Sequence, residues 1–167
     1  MTWVTFDGQQ AENVSLVSVG VRNGGMVAKE AQSARLALDT PYISVPVEIF
    51  SVVLQATEAS WDHKQNLLVG CKSVEVFPDL VFGLDTQGGE AEEIVVAPRQ
   101  YALQDGEKCK LLVRSAAESG SDVVLGWAAI RRRQFVLDWV AGKMGFGSPL
   151  NWWSLENDLE GKIGCDG

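Results

Sequence analysis

Apolar positions along the chain either alternate with polar ones or come in short unbroken runs, the pattern of strands rather than long helices. Val14 to Val21 reads as a strand with Val, Leu and Val at alternate positions. Arg35 to Leu38 is a short run leading into Asp39-Thr40-Pro41-Tyr42. Val74-Glu75-Val76-Phe77 and Leu80-Val81-Phe82-Gly83-Leu84 read as two strands separated by Pro78-Asp79. Glu93 to Ala97, Lys110 to Arg114, Val123 to Leu125 and Gln134 to Trp139 complete the series. Turn signals divide them at Asn23-Gly24-Gly25, Gln87-Gly88-Gly89, Asp105-Gly106 and Ser119-Gly120. Many short strands parted by such turns predict a mainly β sandwich or barrel.

One stretch has the helical period instead. Val47 to Glu58 carries Val47, Phe50, Val53 and Leu54 at i, i+3, i+6 and i+7, with Pro46 as a start signal. A second short helix is expected around Pro98 to Leu103. From position 151 to 167 the character changes to adjacent Trp152 and Trp153 followed by acids and glycines. We read residues 1–150 as one domain and 151–167 as a Trp-rich acidic tail, its indoles either packed on the domain or offered to a partner.

Composition fits a globular chain: 167 residues, 46% hydrophobic and 22% charged. The net charge of -8 excludes an extended nucleic-acid surface. The run Arg131-Arg132-Arg133 reads as strand alternation or turn capping more readily than as a binding patch. No apolar run reaches the about 18 residues of a membrane span, and Met1 to Gln10 has neither the basic start nor the apolar centre of a signal peptide. Among three cysteines none forms a CxxC pair, and His63 is the single histidine, so no metal or other cofactor is expected. Beside Trp61 and Asp62, His63 reads as a solvated loop residue. Asn13-Val14-Ser15 fits a glycosylation sequon at Asn13.

Three groups then fall in order. Leu36-Ala37-Leu38-Asp39-Thr40 precedes Val45-Pro46 and the helix. Phe77-Pro78-Asp79-Leu80-Val81-Phe82 follows. Val124-Leu125-Gly126, Ile130-Arg131 and Phe135-Val136-Leu137-Asp138 lead to Lys143-Met144-Gly145-Phe146. Over roughly residues 14 to 147 this resembles the C-terminal lobe of pepsin-family aspartic peptidases. The resemblance implies a single lobe of the pepsin-like bilobal acid-protease fold, mainly β with one or two short helices. It implies Asp39 and Thr40 as the catalytic pair of positions and Leu125-Gly126 as the unit crossing behind the catalytic loop. It implies a disulfide between Cys71 and Cys109, leaving Cys165 over. With the sequon, that link suggests a secretory, lumenal or extracellular setting.

The chain departs from the family where the chemistry is done. Asp39-Thr40 is followed by Pro41-Tyr42 instead of Gly-Thr. An aspartic peptidase needs two adjacent carboxylates that share one proton, one activating water and the other polarising the carbonyl. Proline donates no N–H and fixes φ, and tyrosine is far bulkier than threonine. If Pro46 is aligned with the family's proline before the helix, two loop residues are missing instead. Trp127 also stands where relatives often carry a polar residue. Asp7-Gly8 lacks the Thr-Gly-Thr context of a second catalytic loop and reads as a hairpin turn. The expectation is a pseudo-peptidase lobe, inactive alone, that binds a peptide, a protein or a second lobe. The main alternative is half of a two-lobed endopeptidase, with Asp39 paired to an Asp from a missing N-terminal lobe. A homodimer pairing two copies of Asp39, and an unrelated lectin- or inhibitor-like sandwich, are less consistent with these residues.

Overall fold

The computed structural model describes residues 2–5, 13–23, 25–30, 33–85, 92–116, 123–131, 133–138 and 143–149. In chain order the strands are β1 (Thr2–Thr5), β2 (Asn13–Arg22), β3 (Met26–Glu30), β4 (Ser33–Ala37), β5 (Ile43–Val45), β6 (Ser60–Trp61), β7 (Leu67–Gly70), β8 (Asp79–Leu84), β9 (Glu92–Val96), β10 (Ala102–Asp105), β11 (Lys108–Leu111), β12 (Val113–Ser115), β13 (Val123–Gly126), β14 (Arg133–Asp138) and β15 (Lys143–Pro149). The α-helices are α1 (Val47–Thr57), α2 (Pro98–Tyr101) and α3 (Trp127–Ile130). The mainly β expectation therefore holds. The tail expected at 151–167, with Trp152, Trp153 and Cys165, lies outside the described residues, as do Asp7-Gly8 and the turns at Gln87-Gly88-Gly89 and Ser119-Gly120.

The largest sheet runs β12-β5-β13-β4-β2-β8-β9, with β3 also paired to β2. A second sheet runs β10-β11-β7-β6, and a third β1-β15-β14. The long strand β2 explains how one element serves several partners. Its start pairs with β4 and its end with β3, while β8 runs along it with a register shift between Leu16 and Ser18. That irregularity flips the alternation. Val14 and Leu16 are buried before it, Val17 faces out, and Val19 and Val21 are buried after it.

Two predicted strands take other forms. Val74 to Phe77 is not a strand: Cys71–Val76 is a 3-10 helix. At three residues per turn, Cys71, Val74 and Phe77 share a face, and Val74 and Phe77 are buried while Val76 points to solvent. The predicted strand from Lys110 to Arg114 is two strands, β11 and β12, which lie in different sheets. Leu111, Leu112 and Val113 are all buried where the chain crosses between them. The Leu112 N–H donates to the Tyr101 carbonyl at 2.7 Å, and its own carbonyl accepts from the Ile43 N–H at 2.9 Å.

Helix α1 starts after Pro46, whose carbonyl accepts from the Phe50 N–H at 2.9 Å, and ends at Glu58 in the left-handed region with φ 53°. Its buried face is Ile49, Phe50, Val53 and Thr57. Val47, expected on that face, is 58% exposed. Cys71 and Cys109 are joined by a disulfide with a Cα–Cα distance of 5.1 Å, tying the 3-10 helix to β11.

Candidate functional site

Strand β13 lies between β4 and β5. It runs parallel to β4, with Leu125 opposite Leu36 and Gly126 opposite Ala37. It runs antiparallel to β5, with Leu125 opposite Ile43. The chain leaving β4 therefore passes through residues 38–42 across the end of β13 before returning as β5 on its far side. This threading brings Asp39-Thr40-Pro41-Tyr42 onto Gly126.

Three backbone hydrogen bonds fix the crossing. Gly126 N–H donates to the Tyr42 carbonyl at 3.0 Å, Trp127 N–H to the Thr40 carbonyl at 2.8 Å, and Ala128 N–H to the Pro41 carbonyl at 3.3 Å. The opening N–H groups of α3, which have no partner inside their own helix, are thus satisfied by the loop. Contact is so close that a Cβ on Gly126 would lie 2.3 Å from the Tyr42 oxygen, 2.6 Å from the Thr40 oxygen and 2.7 Å from the Pro41 carbonyl carbon. Leu125 is fully buried beside it.

Within the loop, Asp39 is solvent-exposed and Thr40 half-buried. The Tyr42 N–H donates to Thr40 Oγ1 at 3.3 Å, so part of the hydroxyl's capacity is used inside its own loop. Pro41 offers no N–H. The Tyr42 ring is held on its flank by two cations: the Arg114 guanidinium lies 3.3 Å from its centroid and the Lys110 ammonium 5.4 Å. Burial alone pushes the phenol up, but hydrogen bonding and charge from Lys110, with charge from Arg114, outweigh it and hold the phenol below its ordinary value.

Lys110 and Arg114 escaped the sequence reading. Nothing local marks them: the parallel pairing of β12 with β5 sets Arg114 opposite Ser44, and Lys110 arrives from β11, in the other sheet. With Trp61, Asn66 and Leu67 they line a shallow surface cleft beside Tyr42.

The remaining singled-out residues lie elsewhere. Arg131 caps the end of α3; its guanidinium donates to the Arg99 carbonyl, and its own carbonyl accepts from Gln100 Nε2 at 3.1 Å. Arg132 falls outside the described residues, and Arg133 opens β14. His63 is exposed on a loop organised by Asp62, whose Oδ1 accepts from the Lys64 and Asn66 N–H groups, each at 2.8 Å. Trp127 is half-buried against the core. Asn13 is the first residue of β2, paired with Arg35 of β4. Among the described residues no group of three or more His, Cys, Asp or Glu is gathered that could hold a metal ion, and no helix is long and apolar enough to cross a membrane.

Residues 1–149 match the family model described as eukaryotic aspartyl protease. Gastricsin of Macaca fuscata fuscata is 30% identical over 111 residues, which are 64% of this chain and 28% of that protein. Gastricsin of Homo sapiens is 28% identical over 111 residues, 64% of this chain and 27% of that protein. The match thus spans only 28% and 27% of the length of these curated relatives.

Proposed function

The chain belongs to the eukaryotic aspartyl protease family, and we propose that this lobe holds an extended peptide or protein segment without cutting it. The observation that carries the reading is the loop after Asp39. Where the family has glycine and a small hydroxyl residue, Pro41 removes a backbone donor that a carboxylate could use. Tyr42 turns its ring onto Lys110 and Arg114. Peptide hydrolysis by this chemistry needs two carboxylates close enough that one stays protonated, and residues 39–42 carry one, Asp39. The frame that would present a peptide is kept: β4, β13 and β5 carry the loop at their ends. The disulfide between Cys71 and Cys109 supports a secretory-pathway or extracellular setting, where such links persist.

The test is incubation of the purified chain with an acid-denatured protein substrate, with and without pepstatin. No cleavage is expected. Cleavage that pepstatin blocks and Asp39→Ala abolishes would overturn the reading.

A second reading is favoured by one observation, the exposure of Asp39 in the loop at the crossing. In it the chain is half of an acid endopeptidase, and Asp39 shares a proton with an Asp from an N-terminal lobe. Co-purification with a chain bearing Asp-Thr-Gly, and loss of that pair's activity in Asp39→Ala, are what it requires. Retained activity in the variant ends it.

A further inference from the structure

The cleft beside Tyr42 is lined by two cations in an acidic chain. The chain carries a net charge of -8, yet Lys110 and Arg114 converge on one ring, and no acidic residue lines the cleft between them. Among the described residues, the ion pairs are Arg22 with Glu93, Lys29 with Glu48 and Arg99 with Glu75. Neither Lys110 nor Arg114 takes part in one. Asp62, on the neighbouring loop, is occupied by the N–H groups of Lys64 and Asn66 and by the Asn66 side chain.

The donors these groups carry matter as much as their charge. The Arg114 guanidinium carbon lies 3.3 Å from the Tyr42 ring centroid, and a guanidinium, with five N–H donors, can contact a ring and still donate to a carboxylate. Lys110 has three donors, and the phenol uses at most part of them. Beside them stands the exposed indole of Trp61, apolar surface of the kind that receives a side chain flanking a charged one. Strand β12, which carries Arg114, is the outermost strand of the large sheet among the described residues, paired with β5 alone. An open strand edge is where an extended peptide adds itself by main-chain hydrogen bonds.

We propose that this cleft receives the Asp or Glu side chain of an extended peptide lying along β12, its carboxylate between Arg114 and Lys110. The proposal rests on the peptide-holding reading above and adds to it the class of segment that is chosen. The field that lowers the Tyr42 phenol is the same positive field that would draw in the carboxylate. A free anion would satisfy the two cations as well, but it would leave the strand edge and the Trp61 indole unused, so a peptide is the occupant the surface fits.

The experiment uses the full chain and pools of fluorescently labelled, blocked peptides. Each pool is degenerate at every position except the centre, which is Glu, Gln, Ala or Lys. Binding is read by fluorescence polarisation at neutral pH. The Glu pool should bind about tenfold more tightly than the Gln pool, the factor expected for one charge-assisted contact. Arg114→Gln and Lys110→Gln should each erode that preference, and Arg114→Lys should retain part of it. Thermal melts of each variant check that it is folded, and inorganic phosphate serves as competitor. Equal affinity for the Glu and Gln pools would overturn the acid preference while leaving peptide holding intact. A preference that survives Arg114→Gln combined with Lys110→Gln would overturn the assignment of the cleft. Failure of every pool to bind would end both readings.

Discussion

Gly126 passes so close to Tyr42 that a methyl group on its Cα would sit 2.3 Å from the Tyr42 carbonyl oxygen. The backbone φ at Gly126 is -71°, open to any residue, so space and not conformation requires glycine there. Three backbone hydrogen bonds hold residues 40–42 against residues 126–128, and the loop cannot retreat without breaking them. Gly126→Ala should therefore destabilise the lobe by roughly 1–3 kcal/mol, the cost of overpacking a filled site. Denaturant unfolding reads this as a lower midpoint with an unchanged slope. Gly70→Ala is the control, since nothing lies within 4 Å of a Cβ built there. If both variants unfold alike, the crossing is looser than its geometry states.

The Cys71–Cys109 disulfide closes a sequence separation of 38 residues. On the chain-entropy account such a link stabilises by about 3–4.5 kcal/mol, mostly by restricting the unfolded chain. Reductant should lower the melting temperature by on the order of 10 °C for a domain of this size. Thiol titration of the untreated, unfolded chain should find one reactive group among its three cysteines. Three reactive thiols, with a melt indifferent to reductant, would remove the link.

The frame of the lobe was legible wherever local pattern and tertiary burial agree. Strands β8 and β13 are apolar runs that end up buried, and α1 follows its Pro46 start. Legibility failed where a distant contact sets the phase. Val47 fits the helical spacing of α1 as well as Ile49 does, but packing against the sheet buries Ile49 and turns Val47 outward. Val74 and Val76 look like strand alternation, yet the three-residue repeat of Cys71, Val74 and Phe77 takes them into a 3-10 helix. Asp39, Thr40, Leu125 and Gly126 could be picked out because each sits inside a motif. Lys110 and Arg114 could not, because only the meeting of β11 with the β12–β5 pair, from two different sheets, carries them to Tyr42.

The chain's two tyrosines should titrate apart. Lys110 and Arg114 hold the Tyr42 phenol below its ordinary value of 10.0 despite the opposing effect of burial. Tyr101 is fully buried, and its hydroxyl donates to the Pro78 carbonyl at 2.7 Å. Burial first, and then the charge of Asp79, push that phenol far up. Phenolate absorbance should thus rise in two steps, an early one that Tyr42→Phe deletes and a late one that accompanies unfolding. Lys110→Gln should move the early step upward more than Arg114→Gln does. One step at the ordinary value for both rings would contradict the arrangement.

Asp79 opens β8 opposite Arg22 of β2. Burial raises its carboxyl above the ordinary value of 3.8, and the charge of Arg22 only partly offsets this. The reason is visible in the neighbouring pair: the Arg22 guanidinium donates to both Glu93 carboxylate oxygens, at 3.0 and 2.8 Å. A carboxyl whose folded value is raised holds its proton more tightly in the native state. Its contribution to stability is present in full below the unfolded value and is lost as pH rises through the folded one. Asp79→Asn cannot ionise and escapes that loss. Urea midpoints of the variant and the parent should then coincide at low pH and separate above about 3.8, with the variant the more stable at neutral pH. The same substitution removes the negative charge facing Tyr101, so the late phenol step should come earlier on the scale of pH. A parent that matches or exceeds the variant at neutral pH would show that Arg22, rather than burial, governs the carboxyl.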